Sequence, residues 1–239
     1  MKIPRCIVVI VTLLSANLLA ATPIPVAGEN AEEAARMVAK MVIIGRGIVA
    51  GHQGVINDPA KGNKGFSPDY MTTHMRKTFE KKMGMSVDQV TPSGVKKALL
   101  AVLDASSVAV RNNQGRINRP GVKFKGFIPA VYGRITGNIL KAKTGIGLKQ
   151  TTFKYRNAYN KPDQFEAGVL KKFESGELDE GYGMRVGAKY RYMEPIYIKK
   201  ACMKCHGQPK GELDIAGKVK EGYEIGDLRG AISISLPVN

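Results

Sequence analysis

The chain has 239 residues, 37 of them Lys or Arg against 20 Asp or Glu, for a formal charge of +17. That length suffices for a packed core in one large domain or two small ones. The charge favours acidic partners, anionic membrane surfaces or nucleic acid, with general solubility as the plain alternative.

Residues 1–21 read as a signal peptide. Lys2 and Arg5 precede an apolar run from Ile7 to about Leu14, and small residues continue through Ala20 and Ala21 into Thr22-Pro23. The run is shorter than the about 20 residues a membrane span needs. An uncleaved N-terminal anchor is the competing reading, and no later segment reads as transmembrane. Cleavage removes Cys6 and two basic residues, which leaves Cys202 and Cys205, a charge near +15 and residues 22–239 as a single domain. Two cysteines so close in sequence build no disulfide framework. An exported, periplasmic chain without a nucleic-acid motif is expected to bind no nucleic acid. Its charge then points to an acidic redox partner or peripheral contact with a membrane.

Glu29 to about Gly51 reads as an amphipathic helix. Val38, Val42, Gly45, Val49 and His52 fall at helical spacing, with Met41 and Ile48 on the same side. Gly45-Arg46-Gly47 with Gly51 superficially matches a dinucleotide loop. No strand precedes it, so it reads as chance or as a close-packing surface. Asn57-Asp58-Pro59 ends the pattern, and Lys61 to Phe66 is a glycine-rich loop. Ser67-Pro68-Asp69 starts a helix that runs to about Met83 before Gly84, with Met71, Met75, Phe79 and Met83 as its apolar face and His74 off that stripe.

Thr91-Pro92-Ser93 caps a helix through about Val110. Residues 111–126 are basic and contain Gly and Pro, while Phe127 to Leu140 fits helix and strand equally. Thr152 to Tyr155 is a candidate strand, and Pro162-Asp163-Gln164-Phe165-Glu166 opens a helix ending near Ser175-Gly176. Glu174, Glu177, Asp179 and Glu180 form a solvated acidic turn. Arg185-Val186 and Lys189 to Tyr197 read as hairpin strands, and Leu228 to Leu236 alternates as a terminal strand. Helices early and strands late predict an α+β domain with an antiparallel sheet.

Between those last strands stands Cys202-Met-Lys-Cys205-His206, the C-x-x-C-H signature of covalent c-type haem attachment. Two thiols at this spacing add to the two vinyl groups of one haem, and the following imidazole ligates the iron. Two other readings compete. A redox dithiol wants a C-x-x-C at a helix start beside a strand, and zinc wants about four ligands. The second iron ligand is open among His52, His74, a methionine and an unfilled position. His52 is the favoured candidate because it ends an apolar helical face, with Asn57 and Asp58 close enough in sequence to orient its ring. No Ser/His/Asp arrangement is visible, so the chain reads as a binding protein and not as an enzyme.

These segments resemble a known family. Arg191-Tyr192-Met193-Glu194-Pro195-Ile196-Tyr197 leading into Cys202–Gly207 is similar to the core of exported single-haem c-type proteins with a PAS-like fold. So is the closing run from Glu221 to Ser233. Lys154-Tyr-Arg156-Asn157 and Asn160-Lys-Pro162-Asp163-Gln-Phe165-Glu166 look like the same family, and Ile56-Asn57-Asp58-Pro59 with Lys64-Gly65-Phe66 add a looser match. The resemblance implies a PAS-like sheet with flanking helices and one haem c held by the C-terminal loop. Relatives stand alone or form periplasmic parts of histidine kinases and chemotaxis receptors, and some use a cysteine thiolate as second ligand. After Cys6 is removed this chain has no thiol for that role, and no transmembrane or signalling segment follows its terminal strand. The expected function is redox or small-ligand (gas) sensing with a separate signalling protein as partner. The alternative is a soluble electron carrier that docks acidic partners.

Overall fold

The first long helix, α1 (Ala31–Gly51), carries the core. Ala31, Ala34, Ala35, Val38, Met41, Val42, Gly45 and Val49 recur every three or four residues and are all buried, so the helix is packed along its whole length. The computed structural model describes residues 23, 24 and 26–239; the predicted signal peptide lies outside them. Against α1 pack α3 (Pro68–Met83), α4 (Ser93–Asn112) and α6 (Pro129–Thr144). Single-turn helices α2 (Gln53–Ile56) and α5 (Gln114–Ile117) follow the ends of α1 and α4.

Local chemistry accounts for the helix ends. Ser67 accepts a hydrogen bond from the Tyr70 amide at 3.0 Å, Pro68 occupies the first turn, and Gly84 takes the left-handed conformation at φ 71° that stops α3. The segment that fitted helix and strand equally is α6. Its buried residues Tyr132, Gly133, Thr136, Gly137 and Leu140 share one face, turned toward α4 and the sheet.

The four strands are β1 (Gly147–Thr151), β2 (Tyr182–Val186), β3 (Lys189–Tyr197) and β4 (Leu228–Pro237), antiparallel throughout and ordered β1-β4-β3-β2. Alternation divides the faces. Tyr192, Ile232, Ile234 and Leu236 join the helical core, while Met193 and Ala231 meet Val169, Leu170 and Phe173 of α7 (Gln164–Glu174). Asp163 and Glu166 form a capping box at the start of α7. The architecture is therefore α+β, as expected.

One strand falls elsewhere than expected. The first strand is Gly147–Thr151 and not Thr152–Tyr155. At Thr152 the chain leaves the ladder, its amide donating to the Asn160 carbonyl at 3.3 Å, and Phe153 and Tyr155 turn out to solvent. Gly230, at φ 143°, lies so close to the Thr151 carbonyl that a Cβ there would overlap it. The ladder ends where the backbones converge.

The end of β1, the end of β3 and the start of β4 lie together, since Thr151 pairs with Ala231 and Tyr197 with Leu228. From this edge the chain departs at Ile198 and returns at Asp227. The neck is closed by Ile198 N–H to Asp227 O at 2.8 Å and Gly226 N–H to Ile198 O at 3.0 Å. The Cys-x-x-Cys-His motif lies in this excursion. Among the described residues no helix is long and apolar enough to cross a membrane.

Candidate functional site

Two consecutive single turns, Lys200–Cys202 and α8 (Met203–His206), carry the motif. Cys202 and Cys205 are free, part-exposed thiols one turn apart, and the Lys199 amide donates to Cys202 Sγ at 3.4 Å. Burial and the neighbouring Asp214 push the Cys205 thiol up. Among the described residues no three His, Cys, Asp or Glu side chains gather as a metal ion would require, so the zinc reading lacks its ligands.

His206 is oriented by Glu221. Its Nδ1 lies 2.9 Å from Glu221 Oε2, and because a carboxylate only accepts, Nδ1 carries the proton and Nε2 is the remaining lone-pair nitrogen. Burial, reinforced by Arg229, lowers the His206 pKa against the pull of Glu221. The ring is therefore neutral near pH 7, which is the form that ligates metals. The backbone is held too, with the Tyr223 amide donating to His206 O at 2.9 Å.

Glu221 is in turn fixed by Arg156, through Nε to Oε1 at 2.7 Å and Nη2 to Oε2 at 2.6 Å. The same guanidinium donates to Asp214 Oδ2 at 2.6 Å, to the Cys205 carbonyl at 2.7 Å and to the Val219 carbonyl at 2.8 Å. Burial opposes ionisation of Glu221 and Asp214. Arg156, with His206 at the first and backbone amides at the second, outweighs it and holds both carboxyls below their usual range. One arginine thus ties the β1–α7 connection to the motif.

Arg229 lies over the Tyr223 ring and donates to Thr152 Oγ1 at 3.2 Å, with Glu221 Oε1 3.7 Å away. Arg46, from the last turns of α1, has a different character. Its Nη1 is shielded from solvent and has no hydrogen-bond partner among the described residues. Burial, then Arg229, lowers its pKa to about 10, so it stays charged at neutral pH. An orphaned buried donor costs about 1–3 kcal/mol, more when charged.

His52, at the end of α1, is engaged by other partners. Its Nδ1 bonds the Ile48 carbonyl at 2.8 Å, which leaves Nε2 to accept from the Tyr70 hydroxyl at 2.5 Å. Its ring packs against Phe66 and Tyr70, while His74 stacks on Tyr70. Among the described residues no hydrogen bond or ring contact joins His52 to the motif. Asn57 and Asp58 do not orient it. Asn57 bonds Gln53 and the Lys125 amide, and Asp58 bonds the Ala60 amide. The histidines thus fall into two groups, His206 in the loop and His52 with His74 in the helical layer.

The donor set suits a covalently attached haem. It has two accessible thiols, a neutral imidazole with Nε2 uncommitted, and an unpartnered cationic nitrogen nearby. An open cleft of about 520 Å³, lined in part by Lys154, Phe173, Tyr197, Tyr223 and Leu228, adjoins the loop. Reading the sequence alone assigned no role to Arg156, Asp214, Glu221 or Arg229. Three of them stood inside or beside the family-like runs, but only folding shows that they meet. Arg46 stood inside a glycine pair read as chance or as a close-packing surface, and its signal was a charge within an otherwise apolar run.

Fold and loop together define an α+β protein in which an arginine–carboxylate network clamps a Cys-x-x-Cys-His loop at one end of an antiparallel sheet. The chain belongs to the Tll0287-like family, whose model matches residues 93–237. A solved structure described as the cyanobacterial haem protein Tll0287 is 20% identical, covering 62% of this chain and 97% of that chain with a TM-score of 0.45. No curated protein matches the chain.

Proposed function

We propose that this is an exported, periplasmic protein with one haem c, joined through Cys202 and Cys205 and ligated by His206, which binds or senses redox state or a small ligand. The supporting observation is the His206 Nδ1–Glu221 hydrogen bond. A carboxylate behind the imidazole fixes the tautomer, turns Nε2 outward and raises its basicity, as second partners of metal-bound histidines do. When bound, the haem supplies a one-electron iron couple and an axial position for a ligand. Arg156 holds Glu221 and the Cys205 carbonyl together, so the residues that attach and ligate move as one body. His52 and His74 are engaged in the helical layer, which favours a replaceable second ligand, and hence sensing, over a closed bis-histidine carrier. The sensing domain is read as PAS-like, with a separate signalling protein as its partner.

The optical spectrum of the purified, exported protein tests this. Reduced protein with a c-type spectrum that shifts promptly on adding carbon monoxide supports ligand sensing. An unchanged low-spin spectrum assigns the protein to electron transfer or purely redox sensing. In Cys202→Ala or Cys205→Ala, normal attachment through two thioethers would contradict the haem linkage.

One observation favours electron transfer as the second reading. The motif excursion exposes Leu213 (67%), Ile215 (60%) and Val219 (57%) beside Lys204, Lys210 and Lys218. An apolar patch among lysines suits docking to an acidic redox partner, which high salt weakens. Salt-insensitive docking would return the charge to general solubility.

A further inference from the structure

Arg46 stands apart from the cations that are paired with carboxylates around the sheet. Glu221 serves Arg156 and His206, Asp214 serves Arg156, and Glu194 serves Lys40 and the Tyr192 hydroxyl. None of these carboxylates reaches Arg46, whose Nη1 is unpartnered among the described residues. The Tyr132 hydroxyl, the polar group against its neighbour Gly45, is committed to Ser106 at 2.7 Å. Position is as telling as isolation. The helix that carries Arg46 packs against the Lys200–Cys202 turn, and Cys202 and Arg229 are close enough to influence its guanidinium, which puts Arg46 near the end of the sheet where the motif loop departs. Arg229 adds a second cation there, with Glu221 no nearer than 3.7 Å. Arg229 shares Glu221 at that distance, whereas Arg46 Nη1 has no partner among the described residues. A shielded cationic nitrogen without a counter-ion is a liability unless an anion completes it.

We propose that Arg46 is the cationic seat for an anion arriving with the attached haem, either a propionate carboxylate or an anionic ligand at the iron. The proposal rests on the haem reading above and deepens it. Both anions share the chemistry that suits a guanidinium, planar or linear acceptors taking charge-assisted hydrogen bonds. Gly45 is what allows the approach. A Cβ at that position would overlap the Tyr132 ring, so glycine lets α1 lie close to α6 and fixes the azimuth from which Arg46 projects.

The experiment uses haem-loaded protein, wild type beside Arg46→Leu and Arg46→Lys, with Arg111→Leu on the exposed side of α4 as control. Covalent loading is read from the mass and the reduced spectrum, followed by the reduction potential, the azide affinity of the ferric form and the propionate bending band in resonance Raman. Arg46→Leu is expected to shift the potential downward, because removing a nearby cation favours the ferric state, and Arg46→Lys is expected to recover part of the shift. If the anion is a propionate, the Raman band moves and azide affinity stays. If it is an iron ligand, azide binding weakens by about tenfold, the loss of one charge-assisted hydrogen bond, and the band stays.

A loaded Arg46→Leu protein with wild-type potential, azide affinity and Raman band overturns the proposal and leaves the haem reading standing. Should Arg46→Leu fail to fold, Arg46→Lys and Arg46→Gln decide by the same three readouts. Wild-type protein that never acquires covalent haem overturns both.

Discussion

Arg156 and Glu221 meet through two parallel hydrogen bonds at 2.7 and 2.6 Å although 65 residues separate them in sequence. Each does a second task. Glu221 orients His206, and Arg156 grips the carbonyl of Cys205. The pair therefore couples a loop on one side of the sheet end to the motif on the other.

Arg156→Leu should destabilise the fold by about 3 kcal/mol, since it strands Asp214 and Glu221 without their counter-charge. Urea unfolding at neutral pH measures this. A loss below ~1 kcal/mol would mean that the network contributes only as exposed pairs do.

Glu221→Gln should retain an acceptor for His206 Nδ1 while removing the negative charge. In haem-loaded protein the imidazole becomes a weaker donor to iron, and the reduction potential rises. Spectroelectrochemistry on wild type and variant reads the shift; an unchanged or lowered potential argues that Glu221 is merely structural.

His52→Ala should lower stability by about 1 kcal/mol, because the Tyr70 hydroxyl and the Ile48 carbonyl lose a half-buried partner. The ferric spectrum of loaded protein should stay as in wild type. A changed low-spin spectrum with unaltered stability would restore His52 as an iron ligand.

Asp163 governs part of the acid limb. Burial opposes its ionisation, but Arg191 at 2.8 Å and the Glu166 amide hold its carboxyl below the usual range. A depressed folded pKa means that its stabilisation is complete above the unfolded value near 3.8 and disappears as pH falls through the lower folded value. Asp163→Asn should leave stability less dependent on pH in that window while keeping much of the cap, at a cost of about 1 kcal/mol near neutrality. Urea midpoints from pH 6 down to pH 2 test it, and parallel curves for the two proteins would remove Asp163 from the account.

Much of the fold was legible because short-range chemistry writes it. The boundaries of α3 follow from Ser67, Pro68 and Gly84, and those of α7 from Asp163, Glu166 and Gly176. β4 shows its alternation openly. The first strand was misplaced because Thr152–Tyr155 has the β-favouring composition, whereas Gly147–Thr151 is strand through its pairing with β4. Composition reports a preference, but a ladder needs a partner. The uncertainty over Phe127–Leu140 had the same origin, since an apolar run without caps leaves helix and strand degenerate until a neighbouring surface chooses.

What the sequence determined by itself is the motif, its three residues Cys202, Cys205 and His206, and the helical and strand periods around them, all carried by neighbours within a few positions. The tertiary structure alone decided that Glu221 and Arg156 stand behind His206, that His52 is occupied by Ile48 and Tyr70, and that Arg46 Nη1 is shielded with no partner among the described residues. Those relations join residues tens of positions apart. Their energies come from burial and charge, and neither exists until the chain has closed around them.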